Sequence, residues 1–353
     1  MRVLQEPFKK LNIYDEVGGW LAKGDGFVNV TGSSGSGTDR VFLMEAFADD
    51  APAKMIITYS DRRAEEIYSD LRFYSRDVYM YPAKDILFFS ADVHGNAITR
   101  RRMEVLRKLA TGEKCTIVAT VDALFDKIPA LSYMNRYVIN IHTMDHLNLD
   151  ELKGKLVDLG YEKTDSVEEP GQFAVRGGII DIFPLTEDCP YRIDMWDDEV
   201  DTIKTFDAES QRSIENVDQL VIYPAGEMVL SKDRINRGIR RIKNELASYS
   251  KKLKAEFKTE AYARIKREAE LEEQLTEFSA TYGVDSYVDY FYSDTVSIID
   301  CLPEKSFVFI DETSKVSDRA VSSEQSFVSA MSHRLEGGYV LPGQLGVMYS
   351  YDD

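Results

Sequence analysis

Only three cysteines occur in 353 residues, Cys115, Cys189 and Cys301, widely separated and none followed by a second cysteine two positions on. That usage argues against disulfides, structural zinc and iron–sulfur clusters, and fits a reducing cytoplasmic setting. Histidine is nearly as scarce, with four copies. His142 and His146 are four apart, as ligands on one helix turn would be, but no third ligand accompanies them and His94 and His333 are remote, so no metal site is expected. Long apolar runs are missing: nothing reaches the roughly 18 residues a membrane helix needs. The opening MRVLQEPFKKLNIYDEV has no charged segment followed by an apolar core, so a secreted or membrane-spanning chain is not expected. Excess positive charge is missing too, with 43 Lys and Arg against 61 Asp and Glu and a net charge of −18, which repels a phosphate backbone as a whole. The one exception is 232–267, where 13 basic residues stand against 4 acidic ones. Such an arm is a solvated helix face or a contact for nucleic acid or an acidic partner.

What is present is a folded chain, 44% hydrophobic and long enough for two or three domains. The first half alternates short β-branched runs with amphipathic stretches: Phe27–Thr31, Lys54–Tyr59, Asp77–Tyr81, Thr116–Thr120 and Tyr137–Ile141 read as strands. A helix capped by Ser60 or Asp61 runs to about Tyr74, another covers Thr99–Leu109, and a short one starts at Asp122. This order implies an α/β fold with a covered parallel sheet in 1–150. After one more helix to about Leu159 the pattern changes to alternating strands punctuated at Pro170–Gly171, Gly177–Gly178 and Asp188–Pro190, a small β-rich domain within 151–225. Over 226–353 the spacing of Ile239, Ile242, Leu246, Tyr249 and Leu253 gives a heptad seam on a long helix, with Leu271, Leu275 and Phe278 suggesting its return. The runs Val296–Ile299 and Ser306–Asp311 restore β/α character and are expected to complete the first domain. The last segment, GGYVLPGQLGVMYSYDD, reads as a linker.

The stretch VTGSSGSGTDRV lies between an expected strand and helix, where a phosphate-binding loop belongs. Gly32, Gly35 and Gly37 match GxxxxGK(S/T) in spacing, but Thr38 stands where lysine should meet the phosphates and Asp39 where a hydroxyl should hold magnesium. Three readings stay open, a working nucleotide site, a relic that only turns the chain, and an anion site of another kind; the missing lysine favours the relic. FVFIDET ends in Asp311–Glu312, the layout of a strand delivering a metal-linked aspartate and a catalytic glutamate, here vestigial. No nucleophile elbow or other catalytic set is recognisable, so no catalytic residue is assigned. Arg100, Arg101, Arg102, Arg107 and Lys108 share a helix and read as a salt-bridged or interdomain face before a DNA reader.

Pro190–Trp196 alternates, placing Tyr191, Ile193 and Met195 on one strand face and Arg192, Asp194 and Trp196 on the other. Arg and Trp dominate protein-binding hot spots, so an outward face carrying both marks a docking surface.

Together with YPAKDILFFSADVHGNAITRRRMEVLRKL, FAVRGGIIDIFP and RIDMWDDEVDTIKTFDAESQRS, these features resemble the N-terminal module of the bacterial transcription-repair coupling factors, which is in turn similar to the excision-repair protein UvrB. The resemblance runs from about Gly19 to the end. It implies a helicase-like, RecA-type domain in two chain segments, an inserted UvrB-like β-rich domain, and recruitment of UvrA to stalled RNA polymerase through Arg176, Arg192 and Trp196. Trp196 stands where the family pattern has phenylalanine and keeps the apolar anchor. The module itself is expected to need no cofactor. ATP, magnesium, RNA polymerase and double-stranded DNA are engaged by other domains of the family. Two alternatives remain: a UvrB-like ATPase on damaged DNA, and an autoinhibitory module held against the C-terminal part of a longer protein.

Overall fold

A computed structural model describes residues 6–10, 12–21, 29, 38–47, 51–84, 95–265 and 284–352. Its strands are β1 Ala53–Thr58, β2 Val78–Tyr81, β3 Cys115–Thr120, β4 Ile128–Pro129, β5 Ile139–His142, β6 Glu162–Lys163, β7 Gln172–Arg176, β8 Ile179–Ile182, β9 Tyr191–Trp196, β10 Glu199–Phe206, β11 Ser213–Val217, β12 Gln219–Ile222, β13 Thr295–Val296 and β14 Phe307–Ile310. Apart from Asn29, the expected strand Phe27–Thr31 lies outside the described residues, as does the return helix carrying Leu271, Leu275 and Phe278.

A four-stranded parallel sheet has the order β14-β1-β3-β2. β1 and β3 are buried at every position, as near-continuous apolar strands covered on both faces must be. The Asp61–Tyr74 helix covers one face through Ala64, Ile67 and Leu71, and the Ser60 hydroxyl caps it by accepting from the Arg63 N–H. On the other face lie Met103, Val105, Leu106 and Leu109 of the Gly95–Thr111 helix. β14, from late in the chain, pairs with β1 from Lys54↔Phe307 to Ile57↔Ile310, so two distant segments share one sheet.

The second sheet has six strands in the order β11-β10-β9-β8-β7-β6, antiparallel except for the β6–β7 edge. Its inner face, with Phe173, Ile180, Ile182, Ile193, Val200 and Ile203, packs on Leu152 and Leu156 of the Leu149–Asp158 helix. Asn148 caps that helix by accepting from the Asp150 and Glu151 N–H groups. One strand differs from expectation. The stretch read as Tyr137–Ile141 forms as β5 but pairs antiparallel with β12 and sends Ile141 into the core of the β-rich unit, not into the parallel sheet. Its alternation of Ile139 and Ile141 with Asn140 and His142 suits a half-buried antiparallel strand, whereas the parallel sheet takes uniformly apolar ones.

The Lys232–Ala255 helix buries Ile235, Ile239, Ile242, Tyr249 and Leu253 along one seam. Gly238 lets the Phe291 ring approach; a Cβ there would lie 2.2 Å from it. A helix not foreseen from the sequence, Thr313–Glu336, adds Phe327 and Met331 to the same core. The final segment, expected to be a linker, is packed instead: Val340, Leu341 and Val347 are buried beside a short 3-10 turn at Pro342–Gly346. Its apolar residues follow no helix or strand period, which is why the pattern did not reveal them. Among the described residues no helix is long and apolar enough to cross a membrane.

These units meet at a buried charge cluster. Arg102, 1% exposed, donates to Asp126 Oδ2 at 2.7 Å, to Glu227 Oε1 at 2.5 Å and to the Pro82 carbonyl at 2.7 Å, with its guanidinium 4.1 Å from the Tyr81 ring centroid. Lys84 bridges Glu227 at 2.5 Å and Asp285 at 2.9 Å. Burial opposes ionisation of Glu227, but Arg102 and Lys84 outweigh it and hold the carboxyl at about 2. Burial dominates at Asp126 and pushes it up to about 6 against the pull of Arg102. Because Glu227 lies below its ordinary 4.5 in the folded state, its contribution to stability is complete above about pH 4.5 and is lost as pH falls toward 2. Glu227→Gln leaves Arg102 and Lys84 short of a partner and is expected to cost about 3–5 kcal/mol in urea denaturation at neutral pH. The variant should also lose this part of the acid limb of the stability–pH curve; unchanged stability and an unchanged acid limb would remove the cluster from its structural role.

Candidate functional site

β9 alternates as its sequence requires. Ile193 is fully buried and Tyr191 and Met195 pack toward the inner core, while Arg192, Asp194 and Trp196 take the opposite face. Trp196 is 81% exposed. Arg176 ends β7 just before the Gly177–Gly178 turn, and Gly177 has φ 61, a left-handed conformation that costs glycine nothing. The turn is tight: a Cβ on Gly178 would lie 3.0 Å from the Met195 carbonyl oxygen.

Cross-strand register brings the two arginines to one acid. Asp181 lies opposite Ala174 on one side and Arg192 on the other, and is 1% exposed. Arg192 donates to it through two nitrogens, Nε to Oδ1 at 2.7 Å and Nη2 to Oδ2 at 2.9 Å, and Arg176 Nη2 donates to Oδ2 at 2.5 Å. Arg192 is further held by the Gln211 carbonyl and side-chain oxygens, at 3.4 and 3.3 Å, and lies over the Phe206 ring at 4.5 Å. Asp194 instead takes Lys204 at 2.7 Å and Thr202 at 3.0 Å. The arginines therefore differ: the Arg192 side chain is 18% exposed and tightly held, whereas that of Arg176 is 50% exposed with one hydrogen bond to Asp181. Sequence reasoning did not single out Asp181. The signal was there in RGGIIDIFP, where the tight turn folds an aspartate back beside the arginine strand.

Of the candidate phosphate-loop residues, Gly32, Gly35 and Gly37 lie outside the described residues; Thr38 begins the Thr38–Phe47 helix and Asp39 is exposed in its first turn. Asp311 is buried at the end of β14, with Arg63 Nε donating at 2.8 Å, Arg40 Nη1 at 3.4 Å and the Thr58 hydroxyl at 3.4 Å. Arg40 also donates to Glu312 Oε1 at 2.7 Å, and that bond holds the Glu312 carboxyl below the usual range. Glu312 sits at φ 61. Two guanidinium groups thus pair with Asp311 and Glu312. Neither arginine was picked out from the sequence, since charge pairing across 248 or more positions leaves no local pattern.

The two histidines do not converge: His142 Nδ1 faces Asp145 Oδ2 at 3.5 Å and His146 Nδ1 faces Asp198 Oδ2 at 3.3 Å. On the basic Gly95–Thr111 helix, Arg100 meets Asp188 at 2.7 Å and Arg107 pairs with Glu187, so that face docks on the β-rich unit.

Residues 139–228 match the family model described as the UvrB interaction domain. Along the chain, similarity extends to proteins named transcription-repair-coupling factor. That of Bacillus subtilis (strain 168) is 31% identical over 310 residues, 87% of this chain and 26% of the relative. That of Staphylococcus aureus (strain bovine RF122 / ET3-1) is 26% identical over 326 residues, 91% and 27% of the respective chains. The Staphylococcus epidermidis (strain ATCC 12228 / FDA PCI 1200) protein is 26% identical over 337 residues, 92% and 28%. The chain spans about a quarter of the length of these curated relatives.

The Asp181 arrangement separates support from display. Asp181→Ala strands Arg192 on the sheet and is expected to lower stability by about 2–3 kcal/mol in chemical denaturation. Arg176→Ala removes a half-exposed partner and leaves Asp181 held by Arg192, so it should cost less than about 1 kcal/mol. Equal losses for the two would contradict the assignment.

Proposed function

We propose that this chain, whose residues 139–228 match the UvrB interaction domain model and which is similar to transcription-repair-coupling factors, recruits UvrA to stalled RNA polymerase for transcription-coupled excision repair. One observation carries this reading: an exposed tryptophan and a half-exposed arginine share the outer face of a rigid sheet, and a buried aspartate fixes the arginine side chains. Recruitment needs such a pre-organised patch, because ordering long side chains on binding costs affinity. Arg176 and Trp196 make the direct contacts, and Arg192 presents what remains of its guanidinium from a fixed position. Engagement of RNA polymerase and double-stranded DNA falls to the rest of a longer protein.

In this proposal the parallel sheet is a helicase-like, RecA-type unit whose nucleotide site has been converted to structure. A magnesium–nucleotide pair does not fit the residues present. Thr38 supplies no phosphate-binding cation, Asp39 adds a repelling carboxylate, and Arg40 and Arg63 would have to leave Asp311 and Glu312 before a metal could approach. The module works as a scaffold, with no ATP hydrolysis of its own.

Biolayer interferometry of the chain against purified UvrA tests the recruitment reading. Arg176→Ala, Arg192→Ala and Trp196→Ala are each expected to weaken binding by about 2 kcal/mol or more. Undiminished binding in all three removes the site, and no binding by the unmodified chain removes the function. Separately, the chain should neither hydrolyse ATP nor retain a fluorescent ATP analogue in the presence of magnesium. Turnover would reinstate a UvrB-like ATPase.

A further inference from the structure

The outer face of the six-stranded sheet is built in two halves. One end is closed by the chain itself: Val167, Ala174, Phe183 and Phe206 are buried together, with Ala208 against them. The other end is bare. There Trp196 is 81% exposed and Ile179 38%, and at the adjoining turn Met144 is 76% exposed. Apolar side chains gathered on an uncovered surface mark a place where another molecule sits.

Register places Ile179 and Trp196 on one face and brings the turn that carries Met144 alongside the start of β10. Ile179 lies opposite Asp194, so Trp196, two positions farther along the same strand, is its diagonal neighbour on the same face, within reach of a large side chain. On its other side Trp196 pairs with Glu199, and Glu199 forms a bridge with His146, so the turn after β5 continues the sheet beyond β10. Main-chain bonds strap that turn down: Met144 N–H to the Val200 carbonyl at 2.8 Å, Val200 N–H to Asp145 at 2.8 Å, and Leu147 N–H to Asp198 at 2.7 Å. Met144 is fixed there at φ 72, a left-handed conformation that an unbranched side chain enters at a cost. The turn's hydrogen bonds hold that conformation, and the side chain they fix is 76% exposed, with little packing of its own.

We propose that Ile179 and Met144 flank Trp196 as further contact residues for UvrA, an inference that rests on the recruitment reading above. The strip is bordered by the Arg176 cation near one end and by the exposed acids Asp197 and Asp198 at the β9–β10 hairpin tip. The matching partner surface is an apolar cleft for the indole, with a carboxylate on the rim facing Arg176 and a cation on the rim facing the hairpin tip. Methionine suits the edge of such a contact because its flexible thioether adapts to an irregular surface.

The test is interferometry against UvrA at fixed ionic strength, with affinities referred to the folded fraction of each variant. Ile179→Thr keeps a β-branched strand former, and Met144→Gly removes the side chain while relieving the left-handed backbone. Each is expected to weaken binding at least about fivefold, the fold-change that separates a contact from a bystander. The urea midpoint of Met144→Gly should not fall, which a residue with a merely structural role would not combine with lost binding. If Trp196→Ala loses binding while either new variant keeps full affinity, the strip is wrong and recruitment stands. If Trp196→Ala and Arg176→Ala both bind fully, or the unmodified chain does not bind, the recruitment reading and the strip fail together.

Discussion

A guanidinium buried to 1% exposure is tolerated only where carboxylates and carbonyls surround it, and Arg102 obtains them from separate parts of the chain. Pro82 and Asp126 come from the parallel-sheet unit, and Glu227 from the segment that leaves the β-rich sheet. Lys84 extends the cluster to Asp285, which precedes the C-terminal helical core. Separating any of these segments would leave a desolvated charge without its counter-charge, a penalty of several kcal/mol. The cluster therefore couples elements that local propensity alone would leave free to move. Arg100 and Arg107, pairing with Asp188 and Glu187 at the rim, add direction more than energy. The outer face of the six-stranded sheet therefore has a defined orientation relative to the parallel sheet, and this junction defines it.

The second constraint is the fate of the parallel sheet. A sheet edge that ends in adjacent acids requires positive charge, which in a nucleotide-binding protein comes from a metal ion. Here Arg40 and Arg63 provide it from the chain's own helices, fixed by hydrogen bonds of 2.7 and 2.8 Å. Internal cations balance the charge of both acids within the chain itself, so the end of β14 is tied to two helices of the same unit.

The sequence disclosed some of these features and concealed others for identifiable reasons. Alternation in YRIDMW assigned both faces of β9, and the Gly177–Gly178 turn fixed where Arg176 stands. The buried strands β1 and β3 and the Ser60-capped helix were visible because their signals are local. β5 was recognised as a strand, but its sheet was not, because pairing with β12 is a long-range choice. The Thr313–Glu336 helix went unnoticed although Val316, Ala320, Phe327 and Met331 carry a helical spacing, since serines and charges dilute it. Arg102 read as one of three consecutive arginines on a polar helix. Nothing in TRRRME distinguishes the one that turns inward, because its carboxylates lie 24 and 125 positions away.

Asp181 explains why the outer face of the six-stranded sheet has the form it does. A buried carboxylate is costly, and two arginines on neighbouring strands offset that cost while being oriented by it. Arg192 carries most of this load: it is bound through two nitrogens and stacked on Phe206, which also closes one end of the sheet face. Arg176 takes one oxygen of the same acid and keeps half of its side chain in solvent. One aspartate thus anchors the covered half of the sheet and aims a cation over the uncovered half. Trp196 and Ile179 lie beside that cation with no covering segment among the described residues, so this end of the sheet is the surface on which a partner would gain most by burial.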